Sequence, residues 1–300
     1  IRDRSDTAFS YGYSQLSGDE EQLYREILNS LISYQEETEL SVKDPEMVER
    51  VFRYVMADHP EIFYADGYEV TTYRLGTEIR RITFTGTWTL ESDEVLSRRA
   101  QLEAAAALWL EGLPDGTDDF EKAKYIYDAL ILRTEYEQGS ADSQTICSVL
   151  LNQRSVCQGY AKTFQYLCQL AGIPAMLVTG DVNGEGHAWN IVFLDGDWYY
   201  IDPTWGDASY QREEGEETPA LTETVNYDYF CVTTQEIERT HSMDDNQLLP
   251  VCNAVQDQYY RHEGLYLQSA DKEKIDEIFA RAAQKGAPMV CFQCADDTVY

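Results

Sequence analysis

At 300 residues, with 43% apolar and 12% aromatic side chains, the chain has the material for at least one sizeable packed core and reads as globular. Twenty-three Lys and Arg stand against 54 Asp and Glu, a net charge of −31 that argues against nucleic acid or an anionic membrane as partner, since both demand concentrated positive charge. No apolar run has membrane-spanning length; the strongest, Ala104 to Leu110, belongs to a helix.

In chain order, Asp19 to Tyr34 repeats apolar residues at Leu23, Ile27, Leu28 and Leu31, which predicts a helix. Asp44-Pro45 opens a second, with Val48, Val51, Phe52 and Val55 on one face, and His59-Pro60 closes it. Tyr68 to Leu75 and Glu78 to Leu90 alternate as strands around Gly76-Thr77. Residues 1–91 thus form an amino-terminal region of helices and a hairpin. Ser92 to Leu110 is a long helix stopped by Gly112 and Pro114, and Thr117 to Arg133 is another, with Phe120, Ala123, Tyr127, Leu130 and Ile131 facing inward. Tyr136 follows as the chain leaves that helix.

Ser155 followed three residues later by Gln158 has the pattern of a capping box, and Tyr160, Ala161, Phe164, Leu167, Cys168 and Ala171 continue at helical spacing until Gly172-Ile173-Pro174. Cys157 therefore falls in the first turn of a helix, where open backbone N–H groups and the helix dipole favour a thiolate and can bind an oxyanion. Cys168, further along, reads as a small buried apolar residue. Ala188 to Leu194 and Trp198 to Ile201 are rich in β-branched and aromatic residues, and Asp195-Gly196 between them signals a two-residue type I′ turn. That turn pairs Leu194 with Asp197, Ile191 with Tyr200 and Trp189 with Asp202. It sets His187 on the same face as Asp202, one diagonal step away. A thiol, an imidazole and a carboxylate so arranged can attack a carbonyl and pass the acyl group through a thioester to water or an amine.

Four blocks, Arg154 to Ala161, Ala171 to Pro174, Gly186 to Asn190 and Trp198 to Asp207, resemble the transglutaminase-like superfamily in order and spacing, over about Phe120 to Asp207. The resemblance implies an α+β, papain-like core, in which the Cys157 helix packs on an antiparallel sheet carrying the His187 and Asp202 strands. It also implies the catalytic roles of Cys157, His187 and Asp202, and makes Tyr136, Gln158 and Trp189 candidates for oxyanion or substrate contacts. It is nearest to bacterial members, many of which are thought to be cysteine peptidases or amidases. Ser155 departs from the usual Gly of the family, and Gln158 stands where the animal cross-linking enzymes have Trp. The implied activity is thus hydrolysis of peptide or isopeptide amides in a protein or peptide substrate. The alternatives are glutamine transglutamination or deamidation and, further off, a binding module that has kept only the fold. No cofactor and no metal is expected.

The core is expected over residues 92–240, with Asn226 to Thr234 as a further strand and an acidic, loop-like stretch from Asp207 to Thr218. His241 to Pro250 reads as a linker. Residues 241–300 hold a small carboxy-terminal α/β unit: a strand from Tyr259 to Gln268, a helix from Asp271 to Lys285 and a strand from Pro288 to Cys294. Cys291 and Cys294 have CxxC spacing, but a strand cannot wrap both thiols around one metal, so they read as structural. Asp181 to Glu185 lacks the ligands of a calcium loop and reads as a turn; His59, His241 and His262 read as structural or surface residues. Seven cysteines make no disulfide framework in a chain of this length. Because the chain starts at Ile1, a signal peptide removed in processing is expected, with an extracellular or cell-surface position on a bacterium and the cytoplasm as the alternative.

Overall fold

The computed structural model of the chain describes residues 10–113, 116–207, 225–287 and 289–295. Its centre is a five-stranded antiparallel sheet. Ala175–Val182, Glu185–Leu194 and Asp197–Ile201 run as consecutive neighbours; Phe230–Val232 borders the Asp197–Ile201 strand, and His241–Met243 borders the Ala175–Val182 strand. Two-residue turns join the three central strands. Asn183 and Gly184 have φ of 56° and 86°, and Asp195 and Gly196 have φ of 48° and 104°, the left-handed pairs that a type I′ turn requires. The register across the second turn pairs Leu194 with Asp197 and Ile191 with Tyr200, as the sequence predicts.

Both faces of this sheet are covered. On one, Ala175, Val192, Leu194, Tyr199 and Ile201 join Tyr160, Phe164, Leu167 and Cys168 of the helix Cys157–Leu170. On the other, Met176, Val178, Trp189, Ile191, Tyr200 and Val232 pack with Ile237 and Cys252. Strands buried on both faces read as nearly continuous apolar runs, as Ala188 to Leu194 does. The first core also takes in the amino-terminal helices Asp19–Ser33 and Pro45–Asp58 and the hairpin Ala65–Leu75 and Glu78–Trp88. The helices Ser92–Leu110 and Asp119–Arg133 lie in the same core.

Several expected elements differ. His241 to Pro250 is no linker: it opens with the edge strand His241–Met243, too short to show alternation in the sequence, and His241 is buried. Tyr259 to Gln268 is not one strand but a short helix, Tyr259–His262, then Tyr266–Leu267. The reason is that consecutive residues turn to one neighbouring segment: Tyr259 stacks on Tyr227 at 3.7 Å and Tyr260 bonds Asp228 at 2.7 Å, whereas a strand points successive side chains to opposite faces. Of the expected Pro288 to Cys294 strand only Gln293–Cys294 pairs, parallel to Tyr266–Leu267, and Pro288 lies outside the described residues. The strand expected over Asn226 to Thr234 shrinks to Phe230–Val232, and residues 208–218 of the acidic stretch also lie outside. The helix Ile146–Asn152, packed beneath the Cys157 helix, was not legible in the sequence.

Candidate active site

Cys157 is the first residue of its helix, after Val156 in extended conformation. The expected capping box does not form. Ser155 belongs to a two-residue strand paired with Glu135–Tyr136, and its hydroxyl turns to the Ser148 hydroxyl (2.7 Å) and the Ser143 carbonyl (2.9 Å). Gly159 makes this knot possible, because a Cβ there would lie 1.9 Å from Ser155 Oγ and 2.7 Å from the Ser143 carbonyl oxygen. With no side-chain cap at Val156, the N–H groups of Cys157 and Gln158 stay open at the positive end of the helix dipole. The half-buried Cys157 side chain packs against Ala161, Leu177 and Ala188. Asn190 ties this helix to the sheet, its Nδ2 donating to the Ala161 carbonyl at 3.0 Å and the Met176 carbonyl at 3.3 Å.

His187 lies in the central strand opposite Gly180, and Asp202 directly follows the strand Asp197–Ile201. The two-residue turn brings them together: His187 Nε2 is 2.8 Å from Asp202 Oδ2, and both residues are buried. Asp202 is also the N-cap of the short helix Pro203–Gly206. Its Oδ1 accepts from the Thr204 N–H at 2.9 Å and the Trp205 N–H at 3.2 Å.

Charge decides the electrostatics of this pair. Burial by itself would depress the His187 pKa, but the Asp202 carboxylate beside it, with a smaller contribution from Cys157, raises it to about 10. Burial by itself would raise Asp202; the charge and hydrogen bond of His187, and the bond from His241, pull it down instead to about 2. Since Nε2 is committed to Asp202, Nδ1 is the His187 nitrogen left to exchange a proton with the thiol.

The other predicted positions divide. Tyr136 is half-buried, its strand paired with Arg154-Ser155 just ahead of Cys157, and its ring lies 6.2 Å from that of Tyr160. Gln158 is half-buried at the second helical position. Trp189 is different: its indole has no exposed surface and lies 5.8 Å from the His187 ring at 23°, so it backs the imidazole instead of facing a substrate. Cys168 is buried in the core, and all seven cysteines are free.

His241 is the residue the sequence reading missed. Its Nε2 is 3.0 Å from Asp202 Oδ2, the same oxygen that meets His187, and its Nδ1 is 2.8 Å from Thr240 Oγ1. Its position on a three-residue edge strand, 54 residues beyond His187 in the chain, left no periodic signal; only its identity as one of four histidines marked it. His187, Asp202 and His241 bring ligand atoms within 4.8 Å of one another. The 2.8 and 3.0 Å separations are those of direct hydrogen bonds. A tetrahedral zinc bonded to both atoms would hold them about 3.3 Å apart. Glu121, His262 and Glu263 form a second, largely exposed group, in which the His262 ring stacks on Phe120 at 3.6 Å.

Residues 110–203 match the sequence profile of the transglutaminase-like superfamily, a span that contains Cys157, His187 and Asp202. This segment is a transglutaminase-like core. It is similar to Kyphoscoliosis peptidase from Homo sapiens, at 33% identity over 111 residues, 31% of this chain and 17% of that protein. The Mus musculus Kyphoscoliosis peptidase matches at 32% over 111 residues, again 17% of its length, so the likeness covers only a small part of these relatives. Among solved structures, one of a TGase overlaps 51% of this chain and 48% of its own at a TM-score of 0.34 and 15% identity. The periplasmic domain of TgpA from Pseudomonas aeruginosa overlaps 47% of this chain and 63% of its own, with a TM-score of 0.25 and 18% identity.

Proposed function

We propose that this protein is a thiol-dependent acyl-transfer enzyme, a peptidase or amidase that hydrolyses peptide or isopeptide amides through a Cys157 thioester. The observation that carries the reading is His187 held by Asp202 at 2.8 Å, with Cys157, at an uncapped helix start, packed against the adjacent Ala188. The name peptidase borne by the mammalian relatives points the same way.

In this reading the raised pKa of His187 keeps its imidazole protonated, an imidazolium facing the Cys157 sulfur. The Cys157 Sγ attacks the amide carbonyl carbon, and the oxyanion is met by the N–H groups of Cys157 and Gln158, with the Tyr136 hydroxyl as an additional donor. The C–N bond breaks as His187 gives its Nδ1 proton to the leaving amine. The neutral imidazole then takes a proton from water as its oxygen attacks the thioester; the C–S bond breaks, releasing the carboxylic acid and returning the imidazolium and the Cys157 sulfur to their starting state. Asp202 keeps the Nε2 proton in place throughout.

The test is to profile the purified protein against a peptide library with a labelled primary amine present, using mass spectrometry to separate cleavage, deamidation and cross-linking. Cleavage is expected, and Cys157→Ala should remove roughly four orders of magnitude or more of turnover. Cys168→Ala should leave turnover largely intact. Amine incorporation without cleavage would make the enzyme a transglutaminase instead, and full activity in Cys157→Ala would sink the thiol mechanism.

A further inference from the structure

We propose that His241 is a positioning residue for this reaction, donating from Nε2 to the same Asp202 oxygen that holds His187 and so fixing the carboxylate against which the imidazole is set. The inference rests on the acyl-transfer reading above. It begins with the Asp202 lone pairs. Oδ1 accepts two backbone N–H groups, from Thr204 and Trp205, and Oδ2 meets two imidazoles, at 2.8 and 3.0 Å. A carboxylate held in its ionised form can only accept, so both imidazole Nε2 atoms carry protons. For a neutral His241 the tautomer is then set: Nδ1 is the bare nitrogen and accepts a hydrogen bond from the Thr240 hydroxyl at 2.8 Å.

The bond also crosses the sheet. His241 lies on the edge strand paired to Val182, at the opposite border from Phe230–Val232, which flanks the strand leading to Asp202. Two close approaches hold it there. A Cβ on Gly180 would lie 2.0 Å from the Ser242 carbonyl oxygen and 2.7 Å from the Trp189 ring, so glycine lets both settle against the strand. The Trp189 ring meets His241 edge-on at 4.8 Å, and the Trp205 ring lies 5.2 Å from it. His241 itself is 3% exposed, so water cannot stand in for its donor. Without that donor, Oδ2 keeps a lone pair with no partner in a dry site and gains freedom to turn away from His187.

The experiment follows the rate of iodoacetamide alkylation at Cys157 near neutral pH, with kcat and KM on the best-cleaved library peptide, in the unmodified protein, His241→Phe and His241→Gln. The glutamine amide can place an N–H near the imidazole Nε2 position, whereas phenylalanine fills the space without a donor. His241→Phe should slow alkylation and lower kcat roughly 10- to 100-fold with KM nearly unchanged, and His241→Gln should restore most of both. Nitrogen-15 NMR of the unmodified protein should show His241 protonated at Nε2, with a strongly deshielded proton. This measurement decides the matter even if His241→Phe does not fold. Unaltered rates in a folded His241→Phe, equal losses in both variants, or a proton at Nδ1 instead of Nε2 would each overturn the proposal. Cys157→Ala run alongside separates the two levels: retained turnover there removes the thiol mechanism itself, while its loss together with an inert His241→Phe removes only the role of His241.

Discussion

Asp202 and Asp58 are both wholly buried carboxylates, yet their affinities for a proton move in opposite directions. Asp202 is held down at about 2, whereas Asp58 is raised to about 6. Each is rich in hydrogen bonds. Asp58 accepts from the Gly12 N–H, the Tyr13 N–H and the Tyr24 hydroxyl, all at 2.9 Å, and so fastens the start of the described chain to the helix Pro45–Asp58. What Asp58 lacks is a cation in contact: His59 lowers it only through space, and the His59 ring turns its Nδ1 to Glu61 at 2.8 Å. Neutral donors offset part of the cost of burying a carboxylate, but a directly bonded imidazolium reverses its sign. One region has a latch whose charge is costly; the other has an anion kept ready to hold a charged histidine.

The contrast breaks most visibly in activity. Asp202→Asn removes the anion while keeping the shape, and should lower kcat roughly a thousand- to ten-thousand-fold. The same change at Asp58 should leave kcat within about twofold, since no step of the proposed reaction touches it. Side-by-side turnover measurements on the two variants, with circular dichroism to establish that both fold, check this. Next in size is the seat of His241: Gly180→Ala must displace the backbone of the edge strand, and should cost roughly 1–3 kcal/mol in urea unfolding. It should also slow Cys157 alkylation.

Asp58→Asn should cost about 1–3 kcal/mol, because an amide presents an N–H to one of the two backbone donors that now meet carboxylate oxygens. The smallest effect is a change of slope with pH. Asp58 binds its proton more tightly folded than unfolded, so its contribution to stability falls as pH rises from 3.8 through about 6. Asp202 works the other way, contributing fully above 3.8 and losing that contribution as pH falls through about 2. His187, raised above 6.5, adds stability that is complete below 6.5 and fades as pH climbs through about 10. Unfolding at pH 4, 5, 6 and 7 should therefore show the advantage of the parent over Asp58→Asn shrinking as pH rises. A constant gap would mean that Asp58 does not titrate in that window.

Short-range chemistry was legible without coordinates. Asp195-Gly196 announces a two-residue turn, and the strict period of two then brings His187 to the side of Asp202. The long amphipathic helices were equally plain, because an apolar stripe at 3.6-residue spacing survives any tertiary context. Ser155 shows where such reasoning stops: its cap pattern was sound locally, but the Ser143 carbonyl and the Ser148 hydroxyl offered its own hydroxyl better partners. Trp189 could be named from its place beside His187, yet whether it faced substrate or core depended on what covered that side of the sheet.

By itself, then, the sequence determined the order of thiol, imidazole and carboxylate and the turn that makes two of them neighbours, since these depend on residues a few positions apart. Only the tertiary structure decided that His241 closes on Asp202, that Gly180 makes room for the edge strand, and that one buried aspartate is lowered while another is raised. Each of those outcomes depends on groups distant in the chain, whose meeting no local periodicity encodes.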